Sequence, residues 1–153
     1  MSLCEFYGWD KQVKTSLKKI KAGDIFCFAL DKHKYGVGRI MVPNSLGHVA
    51  EIFDCLVDSP VIDCKAFSRL GDPVILDSYS LFDRKAEGDW RIVAHQNDYQ
   101  PSDDETVRFV YGVADNVKLV DIFDNEAPFS GEGSEYPLYS PMGDEEVRKH
   151  FRL

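Results

Sequence analysis

Apolar runs separated by short polar connections recur along this chain. Residues 24–31 (DIFCFALD) and 35–42 (YGVGRIMV) are rich in aromatic and branched side chains, and the polar D-K-H-K between them is a connection of hairpin length. Pairing Asp31 with Lys34 sets Phe28 opposite Val37, Cys27 opposite Gly38 and Ala29 opposite Gly36. That register predicts one bulky face (Phe26, Phe28, Leu30, Tyr35, Val37) and one nearly smooth face (Cys27, Ala29, Gly36, Gly38). On the smooth face something approaches the backbone closely, or the sheet bends. Further strands are predicted at 47–57, 73–82, 89–95, 106–113 and 117–123, each bounded by Gly, Pro, Asp or Asn.

Helical periodicity occurs near the two ends. Trp9, Val13, Leu17 and Ile20 recur at helical spacing with lysines between them, Asp10 stands at the start and Gly23 follows, which predicts a helix over 10–19. Near the other end Asp144 is expected to cap a short helix. Glu145 and Glu146 lie at its positive end, Lys149 and Arg152 at its negative end, and Val147 and Phe151 share a face. One helical turn is predicted within 61–70. The run PFSGEGSEYPLYSP, residues 128–141, reads as a loop from its Gly, Pro and Ser content. The fold class that follows is α+β, mainly β. It is a twisted antiparallel sheet or partly open barrel of six to eight strands, with an N-terminal and a short C-terminal helix, forming one domain over 1–153.

Charge changes this picture more than composition does. The chain of 153 residues has a net charge of −8. Residues 1–95 hold 13 acidic and 13 basic side chains, whereas residues 96–153 hold 13 acidic and 5 basic, so the last third carries the whole imbalance. Such a field repels phosphate chains and anionic membrane surfaces and attracts basic partners, so no direct nucleic-acid or membrane binding is expected. The opening MSLCEFYGWDKQ has no basic region followed by an apolar one, and no run is long enough to span a bilayer, which predicts a cytoplasmic protein. Cys4, Cys27, Cys55 and Cys64 contain no C-x-x-C pair and are expected to be reduced.

Candidate chemistry is sparse. G-V-G-R-I-M lacks the third glycine of a dinucleotide fingerprint and follows a hairpin rather than opening a helix. The histidines at 33, 48, 95 and 150 are too dispersed for a short metal motif. His95 is the best lone candidate for acid–base work, with Asp98 three residues on to orient it, although a strand-end histidine tied to a local carboxylate is the commoner case. The serine of F-S-G-E-G is misplaced for a nucleophile elbow, and Asp63 beside Cys64 opposes thiolate formation. Residues 124–135 have the length of a calcium loop but carry Pro128 and Phe129 where a ligand and a glycine are required. No catalytic residue, metal site or cofactor is expected.

A recognition surface is the stronger reading. Asp98, Asp103, Asp104, Glu105, Asp121, Asp124, Glu126, Glu132 and Glu135 are interleaved with Tyr99, Phe129, Tyr136 and Tyr139. Acids attract a basic partner over distance and tyrosines supply stiff contact area at low entropic cost, so these acids with Tyr99, Tyr136 and Tyr139 are the candidate partner-binding residues. The bland alternative is a solvated charged face with aromatics packed inward.

Three stretches together, KAGDIFCFAL at 21–30, KYGVGRI at 34–40 and GDWRIVA at 88–94, resemble the immunity protein 26 family of bacterial polymorphic-toxin systems. The resemblance spans roughly residues 20–95. It implies a small cytosolic protein that binds and neutralises a cognate toxin domain rather than an enzyme, and it supplies no catalytic residues. Gly23, Asp24, Phe26, Tyr35, Gly36, Gly38, Gly88 and Trp90 match the motif, and the hairpin reading gives them a scaffold role, with Asp24 capping the segment before it and Trp90 filling the core. The charge asymmetry adds that the toxin is basic, such as a nuclease, and is blocked at its active or substrate-binding face. The alternative is a small hydrolase or ligand-binding sheet domain that uses His95 and nearby carboxylates.

Overall fold

The computed structural model describes residues 4–10, 16–60, 68–83, 88–101, 107–113, 116–129 and 136–153. Within them the apolar stretches form two antiparallel sheets. The larger is open and contains β1 (Cys4–Phe6), β2 (Asp24–Asp31), β3 (Lys34–Pro43), β4 (His48–Ile52), β5 (Val74–Leu76) and β6 (Trp90–Gln96), in the order β1-β6-β2-β3-β4-β5. The smaller orders β7 (Phe109–Tyr111), β8 (Lys118–Val120) and β9 (Glu126–Pro128) consecutively. Two helices, α1 (Ser78–Asp83) and α2 (Asp144–Phe151), complete the regular structure of the described residues. The mainly β fold is therefore as expected, and the sheet is open rather than a barrel.

Both faces of the large sheet are buried, which is why its strands read as nearly continuous apolar runs. Phe26, Phe28, Ile40, Ala50, Ile52, Trp90 and Ile92 pack on one side with Leu81 and Phe82 of α1 and Val147 of α2. On the other side Ile25, Cys27, Val37 and Val93 form one cluster, and Met41, Val49 and Ile75 form another with Val107, Phe109 and Ile122 from the small-sheet segment. The molecule thus has three layers: helices, large sheet, small sheet.

The β2–β3 hairpin forms, but with a different register from the expected one. Asp31 does face Lys34, yet a bulge between Ala29 and Asp31 shifts every earlier pair by one, so Phe28 faces Gly36 and Phe26 faces Gly38. The two glycines therefore share a face with the bulky rings. A Cβ at Gly36 would overlap the Phe28 ring, and one at Gly38 would overlap the Phe26 ring and lie 2.6 Å from the Glu51 carbonyl oxygen. The glycines accommodate cross-strand phenylalanines, which is the close approach their pattern implied.

The predicted N-terminal helix is not borne out. Residues 11–15 lie outside the described residues, Ser16 is extended (φ −68°, ψ 136°), and only Leu17–Lys19 winds, as a single 3-10 turn. The physical reason is that the apolar positions which would share a helical face are drawn to opposite sides of the sheet: Trp9 joins the Ile25–Cys27 cluster and Ile20 the Phe26–Phe28 cluster.

Three other boundaries move. The stretch 73–82 divides into β5 and α1, because Asp77 starts a helix: its carboxylate accepts the Ser80 hydroxyl at 2.9 Å and its carbonyl accepts the Leu81 N–H at 3.0 Å. An unexpected strand, β9, lies just past the last predicted one and ends at Pro128, the first residue of the expected loop; within that loop Leu138 bridges to Val110 in parallel. The helix cap is Gly143, whose N–H donates to Glu146 Oε1 at 3.3 Å, and Asp144 is the first helical residue. Within 61–70, residues 61–67 lie outside the described residues, while Arg69 bridges to Phe53. Cys4 is disulfide-bonded, contrary to the expectation of four reduced thiols, while Cys27 and Cys55 are free. Burial pushes the Cys27 thiol up to about 12, so it stays protonated.

The motif residues act as framework. Trp90 stacks on Phe28 with ring centroids 4.1 Å apart and 9° between planes, and its indole N–H donates to Asp144 Oδ1 at 2.8 Å. Gly88 adopts a positive φ of 64° beside that carboxylate, and a Cβ there would lie 2.5 Å from Asp144 Oδ1. Arg148 then locks α2 onto the hairpin. Its Nε donates to Asp144 Oδ2 at 2.9 Å, while Nη1 and Nη2 donate to the carbonyls of Leu30 and Ala29, which the bulge exposes, at 3.0 and 2.7 Å.

Candidate functional site

Seven of the twelve expected partner-binding residues fall among the described residues, while Asp103, Asp104, Glu105, Glu132 and Glu135 lie outside them. Asp98 is exposed just beyond β6. Tyr99 is half-buried; the Arg39 guanidinium lies 4.1 Å from its ring centre. Arg39 also donates to Glu51 Oε2 at 3.2 Å from Nε and to Gln96 Oε1 at 2.8 Å from Nη1, and Arg69 Nε donates to Glu51 Oε1 at 3.2 Å. The buried Glu51 carboxylate is thus held by two guanidiniums, and Tyr99 covers one of them.

Asp121, Asp124 and Glu126 are each engaged within the chain. Asp121 accepts the N–H groups of Phe123 and Asn125, both at 2.8 Å, closing the β8–β9 turn. Although partial burial pushes its carboxyl up, the Asn125 and Phe123 donors and nearby Arg108 outweigh this and hold it below the ordinary carboxylate range. Asp124, at φ 64°, joins the two sheets: Oδ2 accepts the Ser45 N–H at 2.7 Å and Oδ1 accepts the Tyr139 hydroxyl at 2.8 Å. Burial first, and then the Asp124 carboxylate, push the Tyr139 hydroxyl up and keep it protonated as a donor. Glu126 accepts the Tyr111 hydroxyl and pairs with Lys118 at 3.5 Å; that hydroxyl, more than the lysine, lowers its pKa. Tyr136 meets Phe129 edge to face, with ring centres 5.3 Å apart.

The structure therefore brings Asp121, Asp124, Glu126 and Tyr139 together in one layer, which Asp124 and Tyr139 also tie to Ser45 of the β3–β4 connection. Sequence reasoning missed the apolar component of that layer. Val110, Leu119 and Ala127 pair directly across the small sheet, and Leu138 bridges to Val110, so four apolar residues from four adjacent segments stand in one row. Phe109, Val120 and Glu126 occupy the neighbouring row. Phe109 and Val120 are buried on the side that meets the large sheet, whereas Leu138 is 71% exposed. The strand-like runs around F-V-Y and K-L-V carried part of this signal, but the Gly- and Pro-rich setting of Leu138 concealed its membership.

His95 has a different partner from the one expected. Its Nδ1 lies 2.8 Å from Asp24 Oδ1, not beside Asp98, and Asp24 Oδ2 accepts the Lys21 N–H at 2.9 Å, capping the segment before β2 as predicted. Both are buried. Burial raises the Asp24 carboxyl and outweighs the opposing effects of the Lys21 N–H, the Lys21 charge and His95. The second buried histidine, His48, bonds through Nδ1 to Ser78 Oγ at 2.7 Å and also bonds to the Ile20 backbone; its burial lowers its pKa. Among the described residues no group of three or more His, Cys, Asp or Glu is placed to hold a metal ion, and no helix is long and apolar enough to cross a membrane.

The outer sheet of this layered β framework thus holds Asp121, Asp124 and Glu126 close to Tyr111 and Tyr139. The model of the immunity protein 26 family matches residues 21–119, about two-thirds of the chain, and the protein belongs to that family. The match extends past β6 through β7 into β8, so it includes part of the small sheet as well as the hairpin and Trp90. No curated protein and no solved structure matches the chain.

Proposed function

We propose that this immunity protein neutralises a cognate toxin domain by covering its active or substrate-binding face, and that the toxin is basic, as a nuclease is. The observation that carries this reading is where the charge lies. Residues 98–135 hold ten acidic and two basic side chains, net −8, whereas the rest of the chain is balanced at sixteen and sixteen. The small sheet and its connections fall within those residues. A strongly net-negative segment on a neutral framework speeds encounter with a positive groove and suits occlusion rather than catalysis. The candidate contacts are Asp98, Tyr99, Asp103, Asp104, Glu105, Asp121, Asp124, Glu126, Glu132, Glu135, Tyr136 and Tyr139.

The test is to read the gene immediately upstream and, where it encodes a large secreted protein with a variable C-terminal domain, to co-express that domain with this chain. Growth is restored if the two are cognate, and the purified pair forms a complex. Persistent killing at full expression of a folded immunity protein contradicts the reading. The competing hydrolase reading takes support from the His95–Asp24 contact, since a carboxylate on Nδ1 is what orients a catalytic imidazole. It requires turnover that disappears in His95→Ala. In the reading proposed here His95→Ala costs stability and leaves no turnover to lose.

A further inference from the structure

The outer face of the small sheet carries the row formed by Leu138, Val110, Leu119 and Ala127. Val110 is buried, Leu119 is half-buried, and Ala127 and Leu138 are exposed, Leu138 at 71%. Phe129, two residues beyond Ala127, and Tyr136, two before Leu138, meet edge to face. Exposed leucines occur singly on any protein and need no explanation. Here the apolar positions are contiguous across four segments and lie within residues 96–153, the last third of the chain, which carries the whole excess negative charge. An apolar centre within a charged surround is the anatomy of a protein interface, where the centre sets the dissociation rate and the surround the encounter rate.

We propose that the outer face of the small sheet is the toxin-docking surface, with Leu138 as its central anchor, and that its occupant is a protein patch with an apolar knob encircled by lysines and arginines. This rests on the immunity reading and divides the labour within it. The carboxylates of 98–135 steer, while the Leu138–Leu119–Ala127 row holds. Charge complementarity selects this occupant over a second copy of the chain, whose matching layer would bring like charges together.

Leu138→Asn and Leu119→Asn remove the apolar contact without altering charge, and Leu56→Asn serves as control, since Leu56 is 48% exposed beside the Tyr35–Val57 bridge of the large sheet. Binding to the purified cognate toxin domain, identified by the co-expression test above, is followed by surface-immobilised kinetics, with circular dichroism confirming the fold of each variant. Leu138→Asn is expected to weaken binding tenfold or more, almost wholly through faster dissociation that salt does not alter, and Leu56→Asn to change nothing. Wild-type binding and protection with an unaltered dissociation rate in Leu138→Asn overturns the docking surface and leaves the immunity reading standing. Failure of the wild type itself to bind or protect overturns both. A wild-type dimer in sedimentation, split by Leu138→Asn, assigns the face to a second copy and overturns the proposal.

Discussion

At Gly36 the Phe28 ring occupies the space of a side chain, so a methyl group there must displace aromatic core. Gly36→Ala is expected to destabilise the fold by about 1–3 kcal/mol, as overpacking does. Added to Phe28→Leu it costs far less, because the ring that clashed is gone; additive losses in urea melts contradict this packing. The two glycines were visible as a smooth patch in the sequence, but what fills it depends on a one-residue bulge at Leu30 that no local signal announces. His48 and His95 show the same limit, since their partners Ser78 and Asp24 lie 30 and 71 positions away in sequence. Burial lowers the His48 pKa, so below the ordinary value of about 6.5 the unfolded chain takes a proton that the folded chain declines, and stability falls as pH drops through that window. The melting temperature of the wild type should therefore decline just below pH 6.5, and His48→Gln should flatten the decline. Parallel pH curves for the two proteins remove His48 as the cause. Replacing His95 by alanine leaves the buried Asp24 carboxylate short of a partner, at a cost of about 1–3 kcal/mol.

Among the elements, α2 was the most legible, because its acidic start, basic end and Val147–Phe151 face are all local. Its attachment was not. Arg148 reaches two carbonyls of β2 across 118 and 119 sequence positions, and Asp144 joins that arginine to Trp90. Arg148 is partly exposed, so solvent reduces what its ion pair contributes, and Arg148→Ala is expected to cost about 2 kcal/mol rather than the larger loss of a fully buried pair. Amide exchange of Val147 should accelerate in that variant well beyond that of Ile40 in β3; equal acceleration at both sites shows that α2 does not come away separately. The strands were legible where aromatic and branched runs are bounded by polar turns, as in β2, β3 and β6. The N-terminal helix was misread because helical spacing records only separation along the chain, whereas Trp9 and Ile20 serve opposite faces of one sheet.

For the molecule as a whole, the division that matters is between a neutral framework and a negative layer. The family motifs lie in the framework, where Gly36, Gly38, Gly88 and Trp90 hold the hairpin and α2 together. The charge lies in residues 98–135, of which Asp121, Asp124 and Glu126 are bound within the chain as well as negative. Internal pairing lowers the directional value of these three acids but not their sign at a distance, so steering survives and falls with ionic strength. Charge asymmetry was fully legible, since counting needs no structure; the apolar row was not, since it exists only once four segments are aligned. The most direct test of the account is the association rate constant of the cognate toxin domain, measured from low to high ionic strength with the wild type and with Asp103, Asp104 and Glu105 all replaced by lysine. The account predicts a rate that drops steeply with salt for the wild type and more gently, from a lower starting value, for the reversed variant. A rate indifferent to both salt and reversal contradicts it.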